Sequence, residues 1–119
     1  MDNQKTEEFN KLIEKIKNSG TAIIVEGKKD RAALEKLGLT NIQELSKKPL
    51  FQIVEEVANE NNEIIILTDL DRKGKELYGK LSRDFHKYGI KINNELREFL
   101  FKNTKLRQIE GLAGCLEIS

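Results

Sequence analysis

The chain has 119 residues, of which 38% are hydrophobic, and this length and composition predict one domain with one modest core. Its 21 Lys+Arg and 20 Asp+Glu leave a net charge of +1, which by itself points to no partner. The one cysteine, Cys115, excludes an internal disulfide and fits a reducing cytoplasm, and with one histidine, His86, the usual Cys/His zinc sites are also excluded.

No membrane segment is visible in the sequence. The longest apolar run, at 64–67, is far shorter than the ~20 residues of a membrane span. No apolar stretch of the kind found in a signal peptide follows the polar N-terminus. We therefore expect a cytoplasmic protein. Because the usual Cys/His sites are excluded, we expect any metal to be a hard ion held by oxygen atoms.

Helical patterns and β-branched runs alternate through the first half of the chain. Apolar residues spaced i, i+3, i+4 and i+7 predict an N-terminal helix over about 6–18. The continuous apolar run at 21–25 is typical of a buried parallel strand. Asp30 is a candidate N-cap for the next helix, which Gly38 closes, and 41–45 is a weaker strand.

The second half continues this alternation. Pro49 suits a first helical turn, and 63–68 is the second strongly apolar strand. Tyr78 and Tyr88 fall at core spacing in the long helix that follows, so we expect both to pack. Three shorter elements come next: a strand at 90–92, a helix around 96–100 and a last strand at 107–110. The alternation predicts a three-layer α/β/α fold with a mainly parallel sheet.

Both strongly apolar strands end in acidic residues. Glu26 follows the first strand, and Asp69 and Asp71 follow the other. Ligands of open α/β sheets bind beyond the carboxyl ends of the strands, so three carboxylates converge there if the two strands are neighbours. A hard divalent cation relieves the repulsion between them, and Mg²⁺ prefers one or two carboxylates with waters and phosphate oxygens. The pattern predicts a site for Mg²⁺, with Mn²⁺ as an alternative.

Each motif alone has a plainer interpretation. Asp71 could cap the following helix, and Glu26 could be a solvated loop residue. The pair favours a site, because two of the five aspartates stand at one strand end and the other strong strand also ends in an acid.

The two strand ends also resemble a known family. The first motif is a hydrophobic strand ending in Glu-Gly, here IIVEGKKD at 23–30, and the second ends in Asp-x-Asp-x-x-Gly, here IILTDLDRKG at 65–74. These are similar to the motifs of the Toprim domain, which bacterial primases, type IA and type II topoisomerases, OLD-type nucleases and the ribonuclease that matures 5S ribosomal RNA share. The resemblance covers about 20–112. It implies a Rossmann-like Toprim fold with about four strands.

The resemblance implies a role for each residue that matches a motif. Glu26 matches the glutamate assigned to general acid/base work or metal binding, and Asp69 and Asp71 match the magnesium-binding pair. Gly27 and Gly74 match glycines that let the backbone turn close to the site.

Asp30 matches a recurrent accessory acid, for which a helix-capping role is at least as consistent. The implied chemistry is metal-assisted phosphodiester hydrolysis or phosphoryl transfer, in the manner of an endoribonuclease. Primases and topoisomerases need further domains, so we expect neither full activity from this chain.

The charge distribution favours a nucleic-acid partner, RNA or DNA. Residues 72–107 hold 11 Lys+Arg and 4 Asp+Glu, a net charge of +7, against −6 for the rest. A solvated helix face is the alternative for any single lysine. The candidate phosphate-binding residues flank the two motifs: Lys28, Lys29, Arg31, Arg72 and Lys73.

Two other functions stay open. One is a non-catalytic module that binds nucleic acid or a nucleotide while a partner protein supplies the chemistry. The other is a small-molecule phosphatase. The latter is disfavoured because the Asp-x-Asp of HAD phosphatases ends the first strand and precedes Thr or Val, whereas here it ends the third strand and precedes Arg72.

Overall fold

The structure is a computed structural model that describes residues 1–112, so Cys115 lies outside the described residues. Helices and strands alternate through the described residues as follows: α1 (Asn3–Ser19), β1 (Ala22–Val25), α2 (Lys28–Glu35), β2 (Ile42–Glu44), α3 (Leu50–Glu60), β3 (Glu63–Ile66), α4 (Arg72–Lys87), β4 (Lys91–Ile92) and α5 (Glu95–Asn103). Short 3₁₀ helices follow β2 (Leu45–Lys47) and α5 (Ile109–Gly111). Within residues 1–112 no helix is both long and apolar enough to cross a membrane.

The four strands form one parallel sheet in the order β2-β1-β3-β4. The fold is α/β, as the sequence predicts. The apolar strands β1 and β3 are central neighbours, with Ile23 opposite Ile65. The chain leaves β1 towards β2 on one side and returns to β3 on the other. The point between β1 and β3 is therefore the topological switch point, where ligands of such sheets bind.

Apolar clusters cover both faces of the sheet. Ile23 and Ile65 face a cluster with α1, α2 and α5, whereas Ile24 and Ile66 face a cluster with α3 and α4. This alternation follows from the two-residue period of a strand. It explains why β1 and β3 are apolar throughout, since both of their faces are buried, and it confirms the three layers.

Helix α2 begins earlier than the sequence predicts. Gly27 is its N-cap, so Asp30 is the third residue of the helix and not its cap. The Asp30 Oδ2 atom instead accepts a hydrogen bond from the Gly27 N–H at 3.0 Å. The Asp30 carboxylate thus pairs with the N–H of the N-cap residue, and this bond is one of the two that make up a capping box.

The predicted strand at 107–110 is wrong. A 3₁₀ turn, Ile109–Gly111, stands there, and Ile109 is fully buried in the cluster with α1, α2 and α5. The Arg107 carbonyl accepts a hydrogen bond from the Leu70 N–H at 2.7 Å, so this segment contacts the loop after β3 and adds no strand to the sheet.

The prediction that both tyrosines pack is wrong for Tyr88, which is 53% exposed. Tyr88 directly follows the last residue of α4, beyond the part of the helix that covers the sheet. Tyr78 is half-buried, and its hydroxyl is 2.7 Å from Asn94 Oδ1.

Candidate functional site at the ends of β1 and β3

Glu26 and Asp69 are in contact where β1 and β3 end. Glu26 directly follows β1, and Asp69 comes three residues after the end of β3. The Glu26 Oε2 atom accepts a hydrogen bond from the backbone N–H of Asp69 at 2.8 Å. A direct bond therefore joins the two sequence motifs across 43 positions of the chain.

Each aspartate uses one carboxylate oxygen to hold backbone. Asp69 Oδ1 accepts from the Ile109 N–H at 2.9 Å, and Asp71 Oδ1 accepts from the Gly74 N–H at 2.8 Å as the N-cap of α4. Within residues 1–112 the other carboxylate oxygen of both aspartates, and of Glu26, accepts no hydrogen bond. Capping a helix and holding a ligand are therefore compatible roles for Asp71.

Gly74 is packed directly on the loop that holds the aspartates. A Cβ at this position would overlap the Asp69 carbonyl group and lie 2.5 Å from its carbon. The Thr68 hydroxyl, which is fully buried, donates to the Gly74 carbonyl at 2.7 Å. By contrast, Gly27 has an extended backbone and open space where a Cβ would stand. Only the second of the two motif glycines makes a close approach to the described chain.

Arg97 holds the same loop from the side of α5. The side chain is 8% exposed and donates to the carbonyls of Thr68 at 2.6 Å and Asp69 at 3.1 Å. Burial lowers the pKa of Arg97, and Tyr78, Glu26 and Asp69 oppose that change. A buried positive charge therefore lies close to two of the candidate acids and offsets part of their mutual repulsion.

Asp30 is a further buried acid beside these residues and is only 7% exposed. Burial raises the pKa of Asp30, the Gly27 hydrogen bond counteracts this, and the charges of Asp69, Glu26 and Glu110 raise it further. The pKa of Asp30 is therefore raised above the ordinary value of an aspartate, mainly by burial.

The donor atoms suit a hard cation. Glu26, Asp69 and Asp71 each present one carboxylate oxygen without a hydrogen bond among the described residues, and Mg²⁺ takes one or two carboxylates and completes its shell with water. Within residues 1–112, however, no group of three or more His, Cys, Asp or Glu side chains is placed so that it could hold a metal ion together. Glu26, Asp69 and Asp71 all lie at the carboxyl ends of the central strands. An ion bound there would be held by few protein oxygens and would keep most of its water ligands.

The candidate phosphate-binding residues of the first motif differ in availability. Lys28 and Lys29 are exposed at the start of α2. Arg31 is engaged elsewhere, because it donates to Glu44 Oε2 at 2.8 Å and to the Ile42 carbonyl at 2.7 Å. Arg31 therefore joins α2 to β2, and a phosphate would have to compete with these two bonds.

The cations of the second motif stand beside the acids. Lys73 and Glu26 line one open depression of about 380 Å³, together with residues of the first turns of α4. The Arg72 side chain is 93% exposed and lies 3.5 Å from Glu76. An exposed ion pair of this kind contributes little to the stability of the fold, so Arg72 can leave Glu76 and bind a phosphate instead.

The structural role of Arg97 was not predicted from the sequence. There this arginine counted only as one of the basic residues of 72–107. Its position in the sequence gave no signal, because Glu98 stands between the same two apolar residues, Leu96 and Phe99, and is exposed. Glu110 was missed because the segment that bears it was predicted as a strand.

Comparison with known proteins shows the family to which the chain is related. The family model described as the Toprim domain matches residues 21–104. A UPF0292 protein of Pyrococcus horikoshii is 43% identical over 87% of this chain and 78% of its own length. A UPF0292 protein of Methanocaldococcus jannaschii is 37% identical over 92% of both chains.

Two solved structures from Aquifex aeolicus share the fold. One protein superposes with a TM-score of 0.77 at 30% identity, over 87% of this chain and 94% of its own. The primase, in its zinc-binding and RNA polymerase domains, superposes with a TM-score of 0.57 at 22% identity, over 90% of this chain and 28% of its own. The chain therefore belongs to the Toprim domain family, a superfamily of nucleic-acid-processing proteins, and is a relative of the UPF0292 proteins.

Proposed function

We propose that this protein is a Mg²⁺-dependent nucleic-acid-processing protein that hydrolyses or transfers phosphodiester groups, with Mn²⁺ as an alternative ion. One observation carries the proposal. At the switch point between β1 and β3, Glu26, Asp69 and Asp71 are each anchored through one carboxylate oxygen and retain a second one for a ligand. Acids anchored at this position keep oxygens available for a hydrated cation, which would in turn hold a phosphate.

Different residues of the site would do different work. Asp69 and Asp71, with Glu26, would hold Mg²⁺, which when bound stabilises charge on the scissile phosphate and the leaving oxygen. Glu26 would also move a proton at its Oε1 atom, the oxygen that does not bind the Asp69 N–H. Lys73, on the same depression as Glu26, would orient a phosphate.

Incubation of labelled RNA and DNA with Mg²⁺, Mn²⁺ or a chelator tests the proposal. We expect metal-dependent cleavage or joining in the wild type and its loss in Asp71→Asn. Asparagine caps helices about as well as aspartate, so this variant keeps the first turn of α4 and changes the charge of the ligand. Asp84→Asn, on the surface of the same helix, is the matched control. Equal activity of Asp71→Asn and wild type, or activity that survives the chelator, would contradict the proposal.

A second candidate is a non-catalytic module that binds nucleic acid or a nucleotide and acts with a partner protein. The observation that favours it is that no group of three acids in residues 1–112 is arranged so that it could hold a metal ion. Metal-dependent binding without any turnover, in the same assays, would favour this second candidate.

A further inference from the structure

A pocket of about 440 Å³ opens between α4 and α5, beside the acids but separate from them. Its wall includes Leu70, the residue between Asp69 and Asp71, and residues from the first half of α4 and from α5. The volume is within the range of pockets that hold small organic groups. Nothing in the proposed chemistry at Glu26 and the aspartates uses this pocket.

One wall of the pocket is an aromatic ring surrounded by cations. Phe101 is 49% exposed, although it belongs to a helix whose other large apolar residues are buried. The Lys75 ammonium lies 4.6 Å from the ring centroid, and the Arg107 guanidinium lies 5.8 Å from it. A half-exposed ring flanked by positive charge is suited to stacking on a flat ligand that carries a phosphate.

Another part of the wall carries polar groups suited to the edge of such a ligand. The Tyr78 hydroxyl is hydrogen-bonded to Asn94 Oδ1, which leaves the Asn94 amide N–H groups without an acceptor among residues 1–112. The exposed Glu98 carboxylate lines the same pocket and accepts no hydrogen bond from the described chain. The pocket thus offers a donor and an acceptor beside a stacking surface.

We propose that this pocket receives one unpaired base of the nucleic acid whose phosphate lies at the acids, an inference that rests on the proposed function. The base stacks on Phe101, and the flexible Lys75 side chain leaves the ring for the adjoining phosphate. A paired base in a duplex is stacked on both sides and cannot enter a pocket of this kind. The preferred substrate is therefore a single strand, or a duplex with an unpaired nucleotide.

The pocket and the acids are mechanically connected. The Arg97 guanidinium lies over the Tyr78 ring, 4.7 Å from its centroid, and bonds the carbonyls of Thr68 and Asp69. Leu70 lines the pocket from within the aspartate loop itself. A base held in the pocket therefore fixes the neighbouring nucleotide relative to the candidate metal-binding oxygens.

The test compares binding of a labelled single strand with binding of the same strand annealed to its complement. We expect the wild type to prefer the single strand. Phe101→Ala should weaken single-strand binding by about 5- to 150-fold, the equivalent of one base stack, and leave duplex binding nearly unchanged. Phe101→Trp should restore the preference, and its fluorescence should be quenched by the single strand. Tyr88→Ala removes an exposed aromatic ring from the far end of α4 and serves as the matched control.

The outcomes separate the pocket from the proposed function. If the wild type binds both forms equally and Phe101→Ala changes neither, the pocket proposal is overturned while metal-dependent processing of nucleic acid can still hold. If the wild type binds no nucleic acid, both proposals are overturned. If Phe101→Ala weakens both forms alike and its circular dichroism is native, the ring serves general binding and the base-pocket proposal is overturned.

Discussion

The Glu26 carboxylate accepts the backbone N–H of Asp69 at 2.8 Å, so the acid that ends β1 orients the loop that ends β3. One of its oxygens is committed to this bond, and the position of the other is thereby fixed. The structural role of Glu26 and its proposed chemical role can be separated by substitution, because glutamine retains the hydrogen-bond acceptor and loses the titratable group.

Glu26→Gln is therefore expected to keep the fold and lose the chemistry. If Glu26 transfers a proton, turnover should fall by ~10²–10⁴-fold, while binding of metal and nucleic acid largely survives. Initial rates and binding isotherms measured on the same preparations check this. A parallel fall in metal affinity would instead indicate that Glu26 is mainly a metal ligand. If neither turnover nor metal affinity changes, Glu26 has no role in the site.

Mg²⁺ or Mn²⁺ should raise the melting temperature of the wild type and not that of Asp69→Asn. Bound cation relieves repulsion between carboxylates that the unfolded chain keeps apart, and a ligand at ten times its Kd stabilises the folded state by about 1.4 kcal/mol. Thermal melts with added metal or chelator measure the shift, with Asp84→Asn as the control. Equal response of Asp69→Asn and Asp84→Asn would contradict the assigned site.

Gly74→Ala should destabilise the protein by about 1–3 kcal/mol, because the new Cβ overlaps the Asp69 carbonyl. Gly79→Ala, in the same helix, is a control of opposite sign. Its Cβ meets only the Arg83 side chain at 3.4 Å, and alanine is favoured over glycine within helices by about 0.5–1 kcal/mol. Urea unfolding of both variants measures the difference, and similar free energies of unfolding would refute the close approach.

Asp30→Asn should stabilise the protein at neutral pH. Because the pKa of Asp30 is raised in the folded state, mainly by burial, the folded protein binds more protons than the unfolded chain between the two pKa values. Stability contributed by this group is therefore lost as the pH rises through that interval. The advantage of Asp30→Asn should shrink on acidification, in unfolding curves measured with chelator across a pH series. An advantage that grows towards acid pH would show that the sign is wrong.

Replacement of Arg72 and Lys73 by alanine should weaken nucleic-acid binding roughly evenly across sequences, since phosphate contacts position a ligand and do not specify its sequence. For every phosphate that is no longer neutralised, the slope of log affinity against log salt should become shallower by about 0.7–0.9. The double variant Lys87→Ala and Lys91→Ala is the matched control. These exposed lysines lie at the end of α4 and the start of β4, whereas the acids lie beyond the carboxyl ends of the strands. Wild-type binding that is indifferent to salt would favour a small-molecule ligand.

The central features of the fold could be predicted because their signals are local. Residues 22–25 and 64–66 are apolar on both faces, as central parallel strands require, and the acids lie within five residues of the strand ends. The segment around Ile109 could not be predicted from local pattern, because its conformation depends on a hydrogen bond to Asp69, 40 positions away. For the same reason the pairing of Arg31 with Glu44 depends on how α2 packs on β2.

The contacts of Gly74 also bear on how a long polymer can enter the site. The Thr68 hydroxyl bonds the Gly74 carbonyl, and the glycine lies against the Asp69 carbonyl, so the turn between β3 and α4 contains no free hinge. On the other side of the loop lies the segment after α5. That segment is joined to the loop by the bond from Leu70 to Arg107 and by the bond from Ile109 to Asp69. The aspartate loop is thus bonded on both sides, and we expect a long polymer to meet it as a preformed surface.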